Sequence, residues 1–291
     1  MGTEKNNLLG IGANIMGEVI ASTIPGLSIV SAVAGPIITD VCSRMLSSFE
    51  KQRVDEVSSM TIANVSRRLE AGEEPRRDDE FYLNDDYGQS PASKLLEETL
   101  LKCKQEFEKK KLTYYSNFWS NICFDNGVSY ETANSIIGQF SALSYQQIKI
   151  LILLNSGAII NIGKWEQYMF RNDTLAPYYT IYSDCLYLYT VRLAVQPQTQ
   201  SKGIRLGTPE VCISPSGKLM CRLLELTLTD IEMSDIKTMI DNVDAIVDRL
   251  MREANDDGSG RILSPITEED VNNLIEEEKE DIIDKATPKW K

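Results

Sequence analysis

The chain has 291 residues, of which 42% are hydrophobic and 25% charged, and 43 acidic side chains outnumber 30 basic ones. The resulting net charge of −13 argues against a protein that coats nucleic acid through its overall charge. Histidine is absent, which removes the commonest general base, the Ser-His and Cys-His nucleophile pairs and the commonest metal ligand. We therefore expect a protein that is not an enzyme and that uses neither a cofactor nor a metal.

The cysteines indicate the redox environment. There are six, Cys42, Cys103, Cys123, Cys185, Cys212 and Cys221. They show no CxxC pair and no zinc-like spacing, and most have apolar neighbours in the sequence. This predicts buried free thiols in a reducing, cytoplasmic compartment.

An uncharged run near the amino terminus is the most unusual stretch of the chain. Residues 19–39 contain no charged side chain, and this length is close to the ~20 apolar residues that a helix needs to cross a bilayer. Pro25-Gly26 and Gly35-Pro36 predict a kinked or broken element, because proline removes a helical hydrogen bond. The alternative interpretation is a buried core helix or an oligomer core in a soluble protein.

Small residues recur in this segment at a spacing of four, at which membrane helices approach each other closely. They are Ala13, Gly17, Ala21, Ser28, Ala32, Ser31 and Gly35. The pattern predicts that helices over residues 8–24 and 27–46 pack against copies of themselves in a homo-oligomer. If the segment enters a bilayer, the basic residues that follow it place the rest of the chain in the cytoplasm.

A helical body follows the apolar segment. Apolar residues at helical spacing predict a helix over residues 40–72. Residues 73–91 contain two prolines and a glycine, which indicates a linker or surface loop. A long helix is predicted over residues 92–123, and we assign its aromatic second half to a core, with a stacking surface for single-stranded nucleic acid as the alternative. Ser129 is a candidate N-cap for a short helix over residues 130–142.

The next part of the chain combines helices with short β-prone pieces. Residues 144–155 predict a buried apolar helix, and two β-prone pieces at 203–206 and 210–213 precede a further helix. Helices followed by a hairpin and another helix resemble a winged-helix module, over about residues 143–228. The helix that would enter a DNA groove offers only Arg192 as a cation, whereas duplex binding needs several Lys or Arg contacts to phosphate.

Charge distribution indicates where an anionic ligand would bind. Residues 143–232 carry a net charge of +1, whereas residues 1–142 carry −6 and residues 233–291 carry −8. The candidate ligand-binding cations are Lys202, Arg205, Arg192, Lys218, Arg222, Arg171, Lys149 and Lys164, with Lys202 and Arg205 favoured. The candidate stacking partners for a base are Tyr178, Tyr179, Tyr182 and Tyr187. For each of these residues, an ordinary surface charge or a core tyrosine is the alternative.

The predicted fold class is mainly α, in four parts. They are an apolar membrane or oligomerisation segment at 1–46, a helical body at 47–142 with a linker at 73–91, a winged-helix-like module with a small β-hairpin at 143–232, and a helix with an acidic tail at 233–291. The tail carries blocks of like charge, which are usually solvated.

Three segments, FEKQRVDEVSSMTIANVSRRLEAGEEPRRDDEF, FEKKKLTYYSNFWSNICFD and LSYQQIKILILL, carry a resemblance to a group of bacterial helical proteins. The layout also resembles the membrane effectors of bacterial anti-phage defence, such as the channel-forming partner of Hailong-type systems. This resemblance implies an oligomeric channel or pore in the lipid bilayer of the bacterial inner membrane, with the bulk of the chain cytoplasmic. It also implies a cytoplasmic domain that senses a single-stranded oligonucleotide or nucleotide signal from a nucleotidyltransferase-type partner protein.

The second hypothesis is a soluble cytoplasmic protein. It would be an oligomeric regulatory or scaffold protein whose winged-helix-like module serves interaction, and its apolar amino terminus would form an oligomer core or bind a partner. The two hypotheses differ in what covers the apolar segment, which is lipid in the first and protein in the second.

Overall fold

The computed structural model describes residues 27–44, 47–77, 80–169, 173–197 and 210–256. These residues form a mainly helical protein with a small antiparallel sheet, as the sequence predicts. The chain divides into two compact units, a first unit of Met1–Tyr145 with Leu219–Leu226 and a second unit of Gln146–Lys218 with Thr227–Lys291.

The first unit is organised around one central helix. Its helices are α1 (Leu27–Ser43), α2 (Ser48–Glu70), α3 (Pro91–Lys104), α4 (Lys111–Ile122) and α5 (Tyr130–Ala142). Helix α3 packs against each of the other four. The buried side chains of α3 are Ala92, Ser93, Leu95, Leu96, Thr99, Leu100 and Cys103. The charged side chains of α3, such as Glu97, Glu98 and Lys102, are half-buried, so the apolar face of α3 forms the centre of the first unit while its charged face is partly open to solvent.

Local capping sets where the helices of the first unit begin. Ser90 accepts a hydrogen bond from the backbone N–H of Ser93, and Pro91 occupies the first helical position of α3. Ser47 caps α2 in a capping box with Glu50. Ser129 accepts a hydrogen bond from the backbone N–H of Thr132, which confirms both the predicted cap and the predicted helix over residues 130–142.

The second unit combines helices with short strands. In chain order the elements that lie wholly or mostly in it are α6 (Tyr145–Asn155), β1 (Ile160–Asn161), α7 (Ile162–Met169), a 3-10 helix (Asp173–Tyr178), α8 (Tyr179–Thr190), β2 (Ala194–Val195), β3 (Glu210–Ile213), the start of α9 (Pro215–Leu224) and α10 (Asp230–Asp256). The strands form an antiparallel sheet in the order β1-β3-β2. Ile160 pairs with Val211 on one side of β3, and Ala194 pairs with Ile213 on the other.

The turn from β3 into α9 is hydrogen-bonded to the residues just before β2. Ser214 donates its hydroxyl to the carbonyl oxygen of Arg192 over 2.7 Å and accepts from the backbone N–H of Gly217 over 2.9 Å. A Cβ atom at position 217 would collide with the carbonyl oxygen of Leu193, so this approach requires glycine. The Ser-Pro-Ser-Gly sequence therefore launches α9, as predicted.

Two predicted helix boundaries are wrong. The helix predicted over residues 40–72 is two helices, because α1 continues to Ser43 and α2 begins only at Ser48. The long helix predicted over residues 92–123 is also two helices, α3 and α4, separated at residues 105–110. Its aromatic half is core, as predicted, since Tyr115, Phe118 and Trp119 are almost fully buried.

The predicted linker is partly buried against the first unit. Arg76 donates from its guanidinium to the carbonyl oxygens of Val128 over 3.0 Å and Ile122 over 3.4 Å, and it lies 4.3 Å from the ring centre of Phe81. Burial lowers the pKa of Arg76. Tyr82 donates its hydroxyl to the carbonyl oxygen of Cys123 over 3.1 Å. The loop thus supplies donors to carbonyls at the carboxyl end of α4, where cations and donors are stabilising.

The apolar segment is described only from residue 27 onward. Helix α1 begins at Leu27 as predicted, and it continues through Pro36, so of the predicted kink or break at Gly35-Pro36 the break is wrong. The predicted helix at 8–24 and the Pro25-Gly26 break lie outside the described residues. Within the described ranges, none of the helices has both the length and the apolarity to cross a membrane.

A buried ion pair occupies the break between α3 and α4. The ammonium of Lys111 lies 2.5 Å from a carboxylate oxygen of Glu106, and their side chains are only 3% and 9% exposed. The same ammonium donates to the carbonyl oxygen of Leu143 over 2.9 Å, and Tyr115 donates its hydroxyl to Glu106 over 3.3 Å. Because buried charges need several partners, these bonds fix the turn and explain why one continuous helix does not form.

We expect the change Lys111→Met to lower the free energy of unfolding by about 3–5 kcal/mol, because it leaves the Glu106 carboxylate buried without its cation. Denaturant unfolding followed by circular dichroism measures this. The control is Lys109→Met, at an exposed position, with a change within about 0.5 kcal/mol. Equal stability of the two variants would contradict a structural role for the pair.

Candidate functional site

The outward face of α8 is the first candidate surface. Helix α8 is the last helix before β2 and β3, and it is therefore the helix that would enter a DNA groove in the predicted winged-helix-like module. Its buried residues are Ile181, Tyr182, Cys185 and Leu188, and its exposed residues are Thr180, Ser183, Leu186 and Thr190. This face carries hydroxyls and a leucine but no cation. It therefore lacks the Lys and Arg side chains that DNA-binding helices supply to phosphates.

An open cleft of about 580 Å³ lies beside α8. It is lined by Gln146, Tyr179, Thr180, Ser183, Asp184 and Met239, from the start of α6, the first half of α8 and the middle of α10. All six belong to the second unit. The lining offers three hydroxyls, a carboxamide, a carboxylate and a thioether. The volume is in the range of ligand sites, ~300–1,000 Å³.

Asp184 is the charged group of this cleft. Its carboxylate accepts a hydrogen bond from the side-chain amide of Gln147 over 2.8 Å. Burial raises the pKa of Asp184, and the hydrogen bond from Gln147 only partly opposes this. Among the described residues, no Lys or Arg forms an ion pair with Asp184. The cleft therefore holds a partly desolvated negative charge.

The second unit contains another half-buried carboxylate for comparison. Asp244 on α10 accepts a hydrogen bond from the indole N–H of Trp165 over 2.7 Å. Burial raises the pKa of Asp244, whereas Trp165 and the nearby charge of Lys164 lower it. Asp244 thus has a neutral donor and a neighbouring cation, and it joins α10 to the buried indole of α7. Asp184 has a neutral donor, Gln147, but among the described residues it has no ion-paired cation.

The predicted anion-binding cations are not gathered in this cleft. Lys202, Arg205 and Arg171 lie outside the described residues. Arg222 is in the first unit, where it forms an ion pair of 2.5 Å with Asp125. Lys164 pairs with Asp248.

Three cations of the predicted set remain, and all three are in the second unit. Lys149 is half-buried on α6, Arg192 is exposed after α8, and Lys218 is exposed on α9. Each of these three forms no ion pair with the described part of the chain.

The predicted tyrosines have different environments. Tyr182 is only 5% exposed, so its ring is part of the core and not a free stacking surface. Tyr179 lines the cleft, while Tyr178 and Tyr187 are half-buried. The core interpretation therefore holds for Tyr182, and Tyr179 is the one placed beside other polar lining residues.

The small residues predicted to pack between helices are only partly described. Ala13, Gly17 and Ala21 lie outside the described residues, as do the side chains of Ser28 and Ser31. Ala32 is exposed, and Gly35 is half-buried. A Cβ atom added at Gly35 would meet no atom within 4 Å. Close helix approach within the described chain therefore does not explain glycine at this position.

The cleft residues other than Tyr179 do not follow from sequence patterns. Asp184 gives a weak signal, because it is the only charged residue in the aromatic-rich α8. Gln146 and Met239 give none, since the fold brings them together from positions far apart in the chain. Three or more His, Cys, Asp or Glu side chains are nowhere grouped to hold a metal ion in the described ranges. Comparison of the chain with protein families, curated proteins and solved structures finds no match.

We expect Asp184→Asn to raise the melting temperature at pH 7 by roughly 1–3 °C. The carboxyl has a higher pKa in the folded chain than its ordinary value of 3.8, so folding penalises its charged form, and this penalty grows as pH rises through the folded pKa. Asparagine keeps the oxygen that accepts from Gln147 and carries no charge.

Thermal unfolding of both proteins between pH 3 and pH 8 measures this difference. The gain should vanish as the pH falls below the ordinary aspartate pKa, where the carboxyl becomes protonated in both the folded and the unfolded chain. The matched control is Asp241→Asn, at an exposed position on α10. A stabilisation that is the same at every pH, or equal in the control, would show that burial of the Asp184 carboxylate does not lower the free energy of unfolding.

Proposed function

We propose that this chain is a regulatory effector that acts without catalysis. Its amino-terminal segment attaches it to a membrane or to further copies of itself, and residues 143–232 form a winged-helix-like module that binds a protein partner. The observation that carries the proposal is the outward face of α1 from Ala32 to Thr39, which has no charged residue and ends at the exposed Asp40, one turn after Pro36 on the same face. The cleft beside α8 and the hydroxyl-rich face of α8 support the second half of it.

Helix α1 has one face in the core of the first unit and another that faces away from it. Val30, Ala34 and Val41 are buried. Ala32 and Pro36 are exposed, and from Leu27 to Thr39 the helix has no charged residue. Surface helices normally place charged residues on the outward face. An uncharged outward face favours contact with lipid or with another protein chain.

The winged-helix-like assignment is supported by the order of elements. A helix, a strand, two further helices and a strand pair follow one another from α6 to β3, and the strand order is β1-β3-β2. Strands β2 and β3 pair antiparallel, as the two strands of a wing do. Since the exposed positions of α8 carry no cation, we propose that the module binds protein and does not read duplex DNA.

We expect Ala32→Glu to release the chain from the membrane fraction or to dissociate its oligomer. A carboxylate on a face covered by lipid or protein costs about 2.5–3.5 kcal/mol in a bilayer, whereas on a solvated face it costs almost nothing. The measurements are membrane fractionation and light scattering of the full chain. Release from membranes identifies lipid as the covering, and a fall in mass of the detergent-free protein identifies a second copy.

The matched control is Ala63→Glu, which makes the same change at an exposed alanine of α2 in the same unit. This variant should behave as the unchanged chain in both measurements. If Ala32→Glu leaves both the membrane fraction and the mass unchanged, the outward face of α1 is in water and the attachment proposal fails.

The second candidate is the membrane effector of anti-phage defence that senses an oligonucleotide. Lys149, Arg192 and Lys218, which form no ion pair with any residue that the structure describes, favour it, because they lie in the segment with a net positive charge. In this candidate the signal binds two conformations of the cytoplasmic part with unequal affinity, as any ligand-driven opening requires. A nucleotidyltransferase-type protein is the partner that would supply the signal.

For this candidate we expect Lys202→Glu combined with Arg205→Glu to weaken binding of short single-stranded oligonucleotides by at least about tenfold, because each cation contributes to phosphate binding. Filter retention of labelled oligonucleotides at two salt concentrations measures the affinity. The control pair is Lys237→Glu with Arg252→Glu, at exposed positions of α10. Equal affinity of both double variants and the unchanged chain would remove Lys202 and Arg205 from the ligand site.

A further inference from the structure

The cleft beside α8 has a chemistry opposite to that of the predicted anion site. Its one charged lining residue is Asp184, and the other polar groups are neutral. A phosphate would therefore meet a carboxylate and no cation among the described lining residues. An anionic ligand is disfavoured here, because like charges repel most strongly where water is partly excluded.

The geometry points to a guanidinium group as the ligand of this cleft, bound by Asp184 and by the hydroxyl and amide oxygens around it. The inference rests on the proposed role of the winged-helix-like module in binding a partner, and it names the chemical group that the partner supplies. That group is an arginine side chain of a protein or a small guanidine compound. The binding partner of the Asp184 carboxylate within the chain is a neutral amide, Gln147.

The number and type of acceptors favour guanidinium over ammonium. Tyr179, Thr180 and Ser183 present hydroxyls from α8. A guanidinium carries five N–H donors in a planar fork and can bond a carboxylate and neighbouring oxygens at the same time, whereas an ammonium is a compact point charge. Gln146 adds a carboxamide oxygen on the α6 side.

The apolar part of the lining suits the stem of such a ligand. Met239 contributes a thioether, and Tyr179 contributes a ring. Methionine adapts to irregular ligand shapes, and the aliphatic part of an arginine packs along apolar surface while its charged end finds a polar partner. Guanidinium groups also stack on aromatic rings.

Charged residues of both signs lie one helical turn from the cleft lining. They are the exposed Asp235, before Met239 on α10, and the half-buried Lys149, after Gln146 on α6. Lys149 forms no ion pair with Asp184, so this carboxylate is left for a ligand. The contrast with Asp244 supports the same conclusion, since Asp244 has Lys164 nearby within the chain. Asp184 lacks such a cation among the described residues, and a ligand would supply it.

The test uses the full chain and two probes, agmatine and an acetylated pentapeptide with one central arginine between glycines. Isothermal titration and ligand-observed magnetic resonance measure binding. We expect a dissociation constant of about 1 mM or below for at least one probe, as for a single charged group in a cleft. Asp184→Asn should weaken that binding by at least about tenfold, because it removes the charge of the bidentate acceptor.

Three controls make the result specific. Asp241→Asn removes an exposed charge of α10 outside the cleft lining and should keep the affinity within about twofold. The matched lysine peptide should bind several times more weakly than the arginine peptide. The urea analogue of agmatine replaces the guanidinium by a neutral group. The unchanged chain should bind this analogue no more tightly than the Asp184→Asn variant binds agmatine.

The outcomes decide the proposal. Tighter binding of the peptide identifies a protein source, and tighter binding of agmatine identifies a small molecule. Either result supports the inference if Asp184→Asn weakens binding of that probe by at least about tenfold. No binding of either probe up to about 10 mM, equal binding by Asp184→Asn, or equal affinity for lysine and arginine peptides would overturn it. Melting curves show that Asp184→Asn is folded. Attachment through α1 is tested by Ala32→Glu, so the two proposals fail independently.

Discussion

The burial of α3 is the constraint on which the first unit depends. The leucines Leu95, Leu96 and Leu100 are almost fully buried, and four helices pack around α3. Helix α1 contributes Val30, Ala34 and Val41 to this core. Its opposite side bears the exposed Ala32 and Pro36, followed by the exposed Asp40. We propose that lipid or a second chain covers the part of this side that precedes Asp40.

The second unit contains two half-buried carboxylates with different surroundings. Buried polar groups are normally paired, and Asp244 accepts from Trp165 and has the charge of Lys164 nearby, although the ion pair of Lys164 is with Asp248. Asp184 is partly desolvated, and among the described residues it has a neutral donor and no ion-paired cation. A carboxylate kept in such a place lowers stability at neutral pH, and residues of this kind are concentrated at binding sites. The same carboxylate would gain most from a cationic ligand.

Local patterns predicted those elements whose determinants are close together in the sequence. Helix α5 follows from the Ser129 cap and a regular apolar face, and β3 follows from β-prone residues after a turn. The break between α3 and α4 did not follow from local patterns, because it depends on the Lys111–Glu106 pair and on the distant carbonyl of Leu143. Helical periodicity continues across this break and conceals it.

The same limit applies to the candidate site. The cleft joins Gln146, the first half of α8 and Met239, and no periodicity relates residues so far apart. Charge counting favoured an anion site in residues 143–232, whereas the cleft that we propose as a ligand site has one charged lining residue, a carboxylate. It could not show that Arg222 is paired with Asp125, or that the charged lining residue of the cleft is Asp184. Three-dimensional pairing, and not net charge, decides which charges are available.

The most direct test of the central claim is photo-crosslinking in cells that produce the full chain with benzoylphenylalanine at position 32 or, separately, at position 63. Both positions are exposed alanines of the first unit. The covered-face account predicts a lipid adduct or a crosslinked second copy from position 32 and neither from position 63. If position 32 yields no adduct, or if the two positions yield the same adducts, the outward face of α1 is not a contact surface and the account is wrong.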